Sequence, residues 1–197
     1  LYGGEILKLG VGATSALTAL LAGGALLAFA VAARWLARGG DAYRVAAIGA
    51  VLGLPAFAAV VFSAPLEAPW LFRAGTALIG FGGGLFAVGT LTAAMSLERP
   101  EHVGLALGAW GAVQASAGGV AVALGGAIRD GVSHLALQGS LGSALVSPVT
   151  GYSFVYHLEI YLLFAALIAI GPLVRPLGQR AHSPTPATKF GLADFPG

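Results

Sequence analysis

Between Lys8 and Arg34 the chain carries no charged side chain. The same holds between Arg44 and Glu67, between Arg73 and Glu98, and between Glu101 and Arg129. Each of these gaps is overwhelmingly apolar and exceeds the roughly 20 residues that a helix needs to cross ~30 Å of hydrocarbon. A fifth gap, 160–174, is shorter, and it becomes a full span when it starts upstream near Ser153 and keeps Glu159 at the interface. Hydrocarbon offers the backbone no hydrogen-bond partner, so a single apolar crossing segment must be helical. The pattern predicts an all-α integral membrane protein with five transmembrane helices, over 12–33, 45–63, 74–95, 103–128 and 154–174.

Composition agrees with this reading. Hydrophobic residues make up 57% of the chain and charged residues 9%, against roughly 25% charged in a soluble domain. There is no cysteine, so neither a disulfide framework nor a thiolate metal site can form. A net charge of +2 with no basic cluster gives no footprint for nucleic acid. The chain begins at Leu1 rather than Met, and we expect it to be the later part of a longer protein whose N-terminal half is missing here. We expect one helical bundle over 1–178 and an extended tail over 179–197, where Phe190, Leu192 and Phe195 could dock on a partner.

The basic residues set an expected orientation. Arg34, Arg38, Arg44, Arg99, Arg175, Arg180 and Lys189 fall on one side of the five spans; Lys8, Arg73 and Arg129 fall on the other. The positive-inside rule then places the 34–44 loop, the 98–102 loop and the C-terminal tail in the cytoplasm. The segments 63–69 and 96–102 are short enough only for tight helical hairpins. The longer 130–153 segment is amphipathic in patches and is expected to lie at the outer interface, in part as a short helix. Pro55 lacks an N–H and should kink the second span.

Glycine is the second strong signal, with 31 residues, about twice the usual ~7%. In the fourth span Gly104, Gly108, Gly111, Ala115 and Gly118 recur at helical spacing and form one small-residue face. In the third span Gly82-Gly83-Gly84 follow one another beside Gly80 and Gly89. Small faces let helix backbones approach closely, and tight helix packing is the simplest account of them. A flexing point, or a groove for a flat ring system, is the functional alternative. Spans one to four hold no ionisable group at depth, which argues against a proton-coupled pump run from these residues. Gln114 is the strongest mid-span polar group, beside Trp110 and Ser116. An interhelical hydrogen bond accounts for it more simply than a substrate contact.

His157 stands in Tyr152-Ser153-Phe154-Val155-Tyr156-His157-Leu158-Glu159, at the expected outer end of the fifth span. One reading is an aromatic belt with a snorkelling glutamate. The other is a neutral imidazole serving as axial ligand to a metal in a macrocycle. His102, His134 and His182 are assigned to solvated loops or the tail. No cluster has metal-site spacing, and no catalytic triad, P-loop or dinucleotide fingerprint occurs, so nothing points to an enzyme.

Several strings together resemble a known family. They are Tyr2-Gly3-Gly4-Glu5, Val11-Gly12-Ala13-Thr14, the run from Phe72 through Gly80-Phe81-Gly82-Gly83-Gly84 to Phe86, Gly108-Ala109-Trp110-Gly111-Ala112-Val113-Gln114-Ala115, and Gly151 through Glu159. The chain resembles the C-terminal part of the PucC-type (LhaA-like) proteins of purple phototrophic bacteria, which look like a twelve-span branch of the major facilitator superfamily. The resemblance implies that the five spans are the last five of twelve. The 33–44 loop falls where the superfamily carries its Gly/Asp/Arg-rich cytoplasmic motif, here degenerate. It further implies a bacterial inner (intracytoplasmic photosynthetic) membrane and a role in assembling light-harvesting antenna complexes. The expected ligand is bacteriochlorophyll, with carotenoid or lipid as further candidates. The expected partners are membrane lipid, antenna polypeptides or the reaction-centre complex, and the N-terminal half of the same protein. His157, with Gln114 and Trp110, becomes the candidate pigment contact, and His157 the candidate magnesium ligand. A facilitator-type transporter of small molecules and a structural subunit of a photosynthetic complex are the competing readings.

Overall fold

The computed structural model describes residues 10–97 and 102–174. Over these residues the chain forms five long helices: α1 (Val11–Ala37), α2 (Ala42–Ser63), α3 (Pro69–Leu97), α4 (Val103–Leu137) and α5 (Val149–Ile170), with short 3-10 turns at Ser143–Leu145 and Gly171–Leu173. All five are long and apolar enough to cross a membrane.

Local sequence sets the ends. α1 stops where Gly39 takes a left-handed φ of 79°, while its N–H and that of Gly40 bond back to Leu36 and Trp35 at 2.9 and 3.1 Å. This is a Schellman turn, in which glycine removes the Cβ penalty. Asp41 then caps α2 by accepting the Tyr43 N–H at 3.1 Å. Pro148 caps the start of α5, and the Ser147 hydroxyl accepts the Val149 N–H at 3.2 Å. Pro55 lies inside α2, which runs on through it as helix.

The bundle is organised around α3, which packs between α1 and α2; α5 packs on α2 and α4, and α4 touches α3 more lightly. Small residues make the α3 contacts possible. A Cβ on Gly49 would lie 2.5 Å from the Gly82 carbonyl oxygen, and one on Gly82 would lie 2.8 Å from the Gly49 oxygen. Gly84 approaches Ala28, and Gly89 approaches the backbone of Ala42 and Ala46. α2 therefore presents Ala42, Ala46, Gly49, Gly53, Ala56 and Val60 as one stripe, in steps of three and four. Two apolar clusters flank these crossings. Ala28, Ala32, Val45 and Leu85 join α1, α2 and α3 at the end carrying the α1–α2 turn. Val60, Phe72 and Tyr152 tie α5 to α2 and α3 at the opposite end.

Two expectations need correction. The segment 130–137, expected in an outer loop, continues α4 without a break. The reason is packing: Ala136 is fully buried, and Gly151 of α5 sits so close to Ser133 and to the Arg129 carbonyl that a side chain there would collide. α5 likewise begins at Val149, five residues before the expected 154. Tyr2-Gly3-Gly4-Glu5, Arg99, His182 and the tail lie outside the described residues.

Candidate functional site

The earlier start of α5 changes the position of His157. Tyr152 and Arg129 mark one polar layer: the Arg129 guanidinium lies 5.2 Å from the Tyr152 ring centre, donates to its hydroxyl at 3.2 Å, and also donates through Nε to Asp130 at 2.9 Å. Five residues on, at ~1.5 Å each, His157 sits roughly 8 Å further along the span, below that layer rather than level with it. Its side chain is exposed, on one face with Phe154, Tyr161, Phe164 and Ile168. These positions follow at steps of three and four, so they form one outward stripe.

The imidazole is held in a defined state. His157 Nδ1 lies 2.6 Å from the Ser153 carbonyl oxygen. A carbonyl only accepts, so Nδ1 carries the hydrogen, and in the neutral ring Nε2 keeps its lone pair. Fixing one ring nitrogen on a carbonyl while the other points outward is the usual preparation of a ligating histidine. The chemistry of this single donor fits an axial ligand to a macrocycle metal. It does not fit a free-ion site, since no group of three or more His, Cys, Asp or Glu comes together among the described residues.

The other candidates do not join it. Trp110 Nε1 donates to Thr90 Oγ1 at 3.2 Å, and Thr90 Oγ1 donates to the Phe86 carbonyl at 2.8 Å. The indole therefore pins the first half of α4 to α3. Gln114 is exposed one turn further on. The antiparallel contact of Gly125 with Val155 sets the register between α4 and α5. In that register Gln114 and His157 are roughly 14 Å apart along the helix axes. Trp110 and Gln114 thus belong to a different region from His157. His134, expected in a loop, lies in the last turn of α4 with Nε2 2.9 Å from Gln138 Nε2.

The glycines divide as well. Gly82 and Gly84 lie at helix crossings, whereas a Cβ on Gly83 would meet nothing within 4 Å. Gly104, Gly108, Gly111 and Gly118 also meet nothing within 4 Å. The small face of α4 is therefore a surface with no partner among the described residues.

Two clefts lie outside the sequence expectations. One, of about 310 Å³, opens between α4 and α5 and is lined by Gly125, Gly126, Arg129, Tyr152, Tyr156 and Glu159. Glu159 thus faces α4 roughly 10 Å along the helix from Tyr152. The other is an apolar groove of about 1210 Å³ between α1 and α3, with Leu17, Leu20, Leu27 and Phe81 on its walls and Arg73 among its lining residues. Its volume exceeds that of most ligand pockets. The spacing of Leu17, Leu20, Gly24 and Leu27 on one face of α1 is the signal for it that the sequence holds.

These features define a polytopic helical membrane protein with an apolar, glycine-rich interior. The chain belongs to the PUCC family: the family described as PUCC protein matches residues 1–177. It is 50% identical over 196 residues to a Rhodobacter capsulatus protein named "Uncharacterized protein in puhA-bchM intergenic region", covering 99% of this chain and 41% of that one. It is 48% identical over 174 residues to Protein PucC of Cereibacter sphaeroides, covering 88% of this chain and 37% of that protein. It is 54% identical over 131 residues to Protein PucC of Rhodovulum sulfidophilum, covering 66% and 29% respectively. The chain therefore spans less than half the length of these curated relatives. No solved structure matches it.

Proposed function

We propose that this chain is the C-terminal part of an assembly factor for bacterial light-harvesting antenna complexes, acting in the inner photosynthetic membrane with its C-terminus in the cytoplasm. In this reading it holds bacteriochlorophyll while pairing with antenna polypeptides, and its five helices are the last five of a twelve-helix facilitator-type bundle. Family membership supports the reading, as do relatives that carry the PucC name or the puhA-bchM location. The observation that carries it is the outward stripe of α5, in which His157 Nε2 is left free among exposed aromatic side chains.

Bacteriochlorophyll would bring a magnesium centre that takes a nitrogen donor, and an apolar ring. His157 Nε2 is the atom that would hold the magnesium. The Ser153 carbonyl fixes the ring's tautomer, and Phe154 and Tyr161 offer aromatic surface on either side of it. The α1–α3 groove, with its apolar walls, suits an apolar guest such as a carotenoid or a lipid chain better than the polar solute of a transporter.

The test is to purify the full-length protein gently, with and without His157→Leu, and to compare bacteriochlorophyll bound per polypeptide. A pigmented wild type and a depleted variant are expected. Equal pigment in both would remove His157 from the reading. No pigment in either would leave a helix-pairing chaperone or a transporter.

A further inference from the structure

The turn that ends α1 carries a second arrangement of basic and aromatic side chains, remote from His157. Arg34 and Arg38 are one helical turn apart on the same face, and both are exposed. Neither makes an ion pair or a hydrogen bond through its side chain among the described residues. Between them stands Trp35, 39% exposed. Together with Val31, Gly39 and Gly40 they line a notch of about 440 Å³.

The backbone builds this notch rather than leaving it to chance. The Schellman turn folds Gly40 back beneath Trp35, with the Gly40 N–H on the Trp35 carbonyl at 3.1 Å. The indole then lies so close to Gly40 that any Cβ there would collide with its ring. Only glycine at 40 lets Trp35 take this position. The ring in turn lines the same notch as the two arginines.

The negative end of the helix dipole favours one basic residue at a C-terminus. It does not account for two like charges on one face, which repel each other, flanking an aromatic notch. Their location does. α1 is long and apolar enough to cross a membrane over Ser15–Ala37, and a span with those bounds would bring the notch to the level where tryptophan rings and lipid headgroups meet. Guanidinium forks match phosphate oxygens.

We propose that the Arg34–Trp35–Arg38 notch binds the phosphate headgroup of an anionic membrane phospholipid. The two guanidinium groups hold the phosphate, and Trp35 packs on the glycerol and upper acyl region. The proposal does not depend on pigment handling.

The experiment is native mass spectrometry of the full-length protein after delipidation, with phosphatidylglycerol or phosphatidylcholine added back. Wild type should retain phosphatidylglycerol preferentially. Arg34→Gln or Arg38→Gln should each weaken that retention about fivefold, and the pair roughly thirtyfold. Gly40→Val keeps both charges but displaces the indole, and should also lose the preference. Arg34→Lys with Arg38→Lys should keep part of it, which separates loss of charge from loss of fold. Undiminished phosphatidylglycerol retention by the double glutamine variant overturns the proposal. So does displacement of the lipid by inorganic phosphate at equal concentration, which would make the notch a site for free anions.

Discussion

Gly82, Gly83 and Gly84 offer a test of the packing in which the helix is its own control. The perturbation is glycine to alanine at each position in turn. All three lie mid-helix in α3, so each substitution gains the same intrinsic helix preference, up to ~1 kcal/mol in water. Their surroundings differ. The new methyl at 82 would lie 2.8 Å from the Gly49 carbonyl oxygen, and the one at 84 would lie 2.8 Å from the Ala28 methyl and 3.0 Å from the Ala25 oxygen. None of these neighbours can rotate away, so α3 must move off α2 or α1. Overpacking of this kind costs about 1–3 kcal/mol. At 83 the methyl meets nothing within 4 Å. Relative to Gly83→Ala, the other two should therefore be destabilised by about 1–3 kcal/mol, with the propensity term cancelling. Unfolding of the full-length protein by denaturing detergent, followed by circular dichroism, reads the difference. Equal stability of all three variants would refute the placement of α3 between α1 and α2. A Gly83→Ala protein less stable than the others would refute the assigned faces of the helix.

Two further outcomes are expected. Gly111→Leu should leave the stability of the purified protein unchanged, because a Cβ there meets nothing within 4 Å, while lowering the yield of antenna complex in cells; a loss of stability instead would place a helix on that face within the protein itself. Since the 197 residues contain no cysteine, Ser140→Cys should react with a membrane-impermeant maleimide from the periplasmic side and Ala37→Cys only after permeabilisation; the reverse pattern would invert the orientation.

The five crossings are legible in the sequence because charge is expensive in hydrocarbon, so long charge-free apolar stretches mark the segments that lie within it. Helix lengths are less so. The gap from Glu101 to Arg129 ends with a charge, yet α4 continues to Leu137. An α-helix persists beyond an apolar stretch wherever its face is packed; here Ser133 packs on Gly151 of α5, and Ala136 is fully buried. Hydrophobicity carries no trace of that contact. Ser147-Pro148 does carry a start signal for α5, but the apolar run beginning at Phe154 is the stronger pattern. A start at 154 puts His157 in the first turn of α5, whereas with the start at Val149 it lies about two turns in. Periodicity also shows which faces are small without showing what lies on them. The glycine pattern of α4 is the denser one, while the sparser stripe from Ala42 to Val60 on α2 makes the tight contacts. Trp110 and Gln114 stand one helical turn apart in sequence, while the Trp110 hydrogen bond goes to Thr90, a partner twenty residues away that spacing alone does not reveal.

The division between packed and open glycine faces bears on how such a chain could assemble other membrane proteins. In lipid the hydrophobic effect does not drive one helix onto another; close packing and interhelical hydrogen bonds do. α1, α2 and α3 use the small faces at their crossings on each other, so those crossings are closed to a guest helix. α4 is held differently. It is joined to α5 near Gly151 and Ser133, and to α3 through the Trp110–Thr90 bond, while Gly104, Gly108, Gly111 and Gly118 stay open among the described residues. A helix laid on that face would gain close backbone contact without first displacing a neighbour. The outward stripe of α5 offers a chemically different contact: an imidazole nitrogen between aromatic rings. Under the proposed function, a packing surface on one helix and a ligand on the next would separate recognition of a polypeptide from recognition of a pigment. Under the proposed function, Gly111→Leu should then impair antenna-polypeptide capture while leaving bound pigment intact, and His157→Leu should do the opposite. Pull-down of antenna polypeptide and pigment absorbance, measured on the same two purified variants, read the two effects; parallel loss of both in either variant would refute the separation.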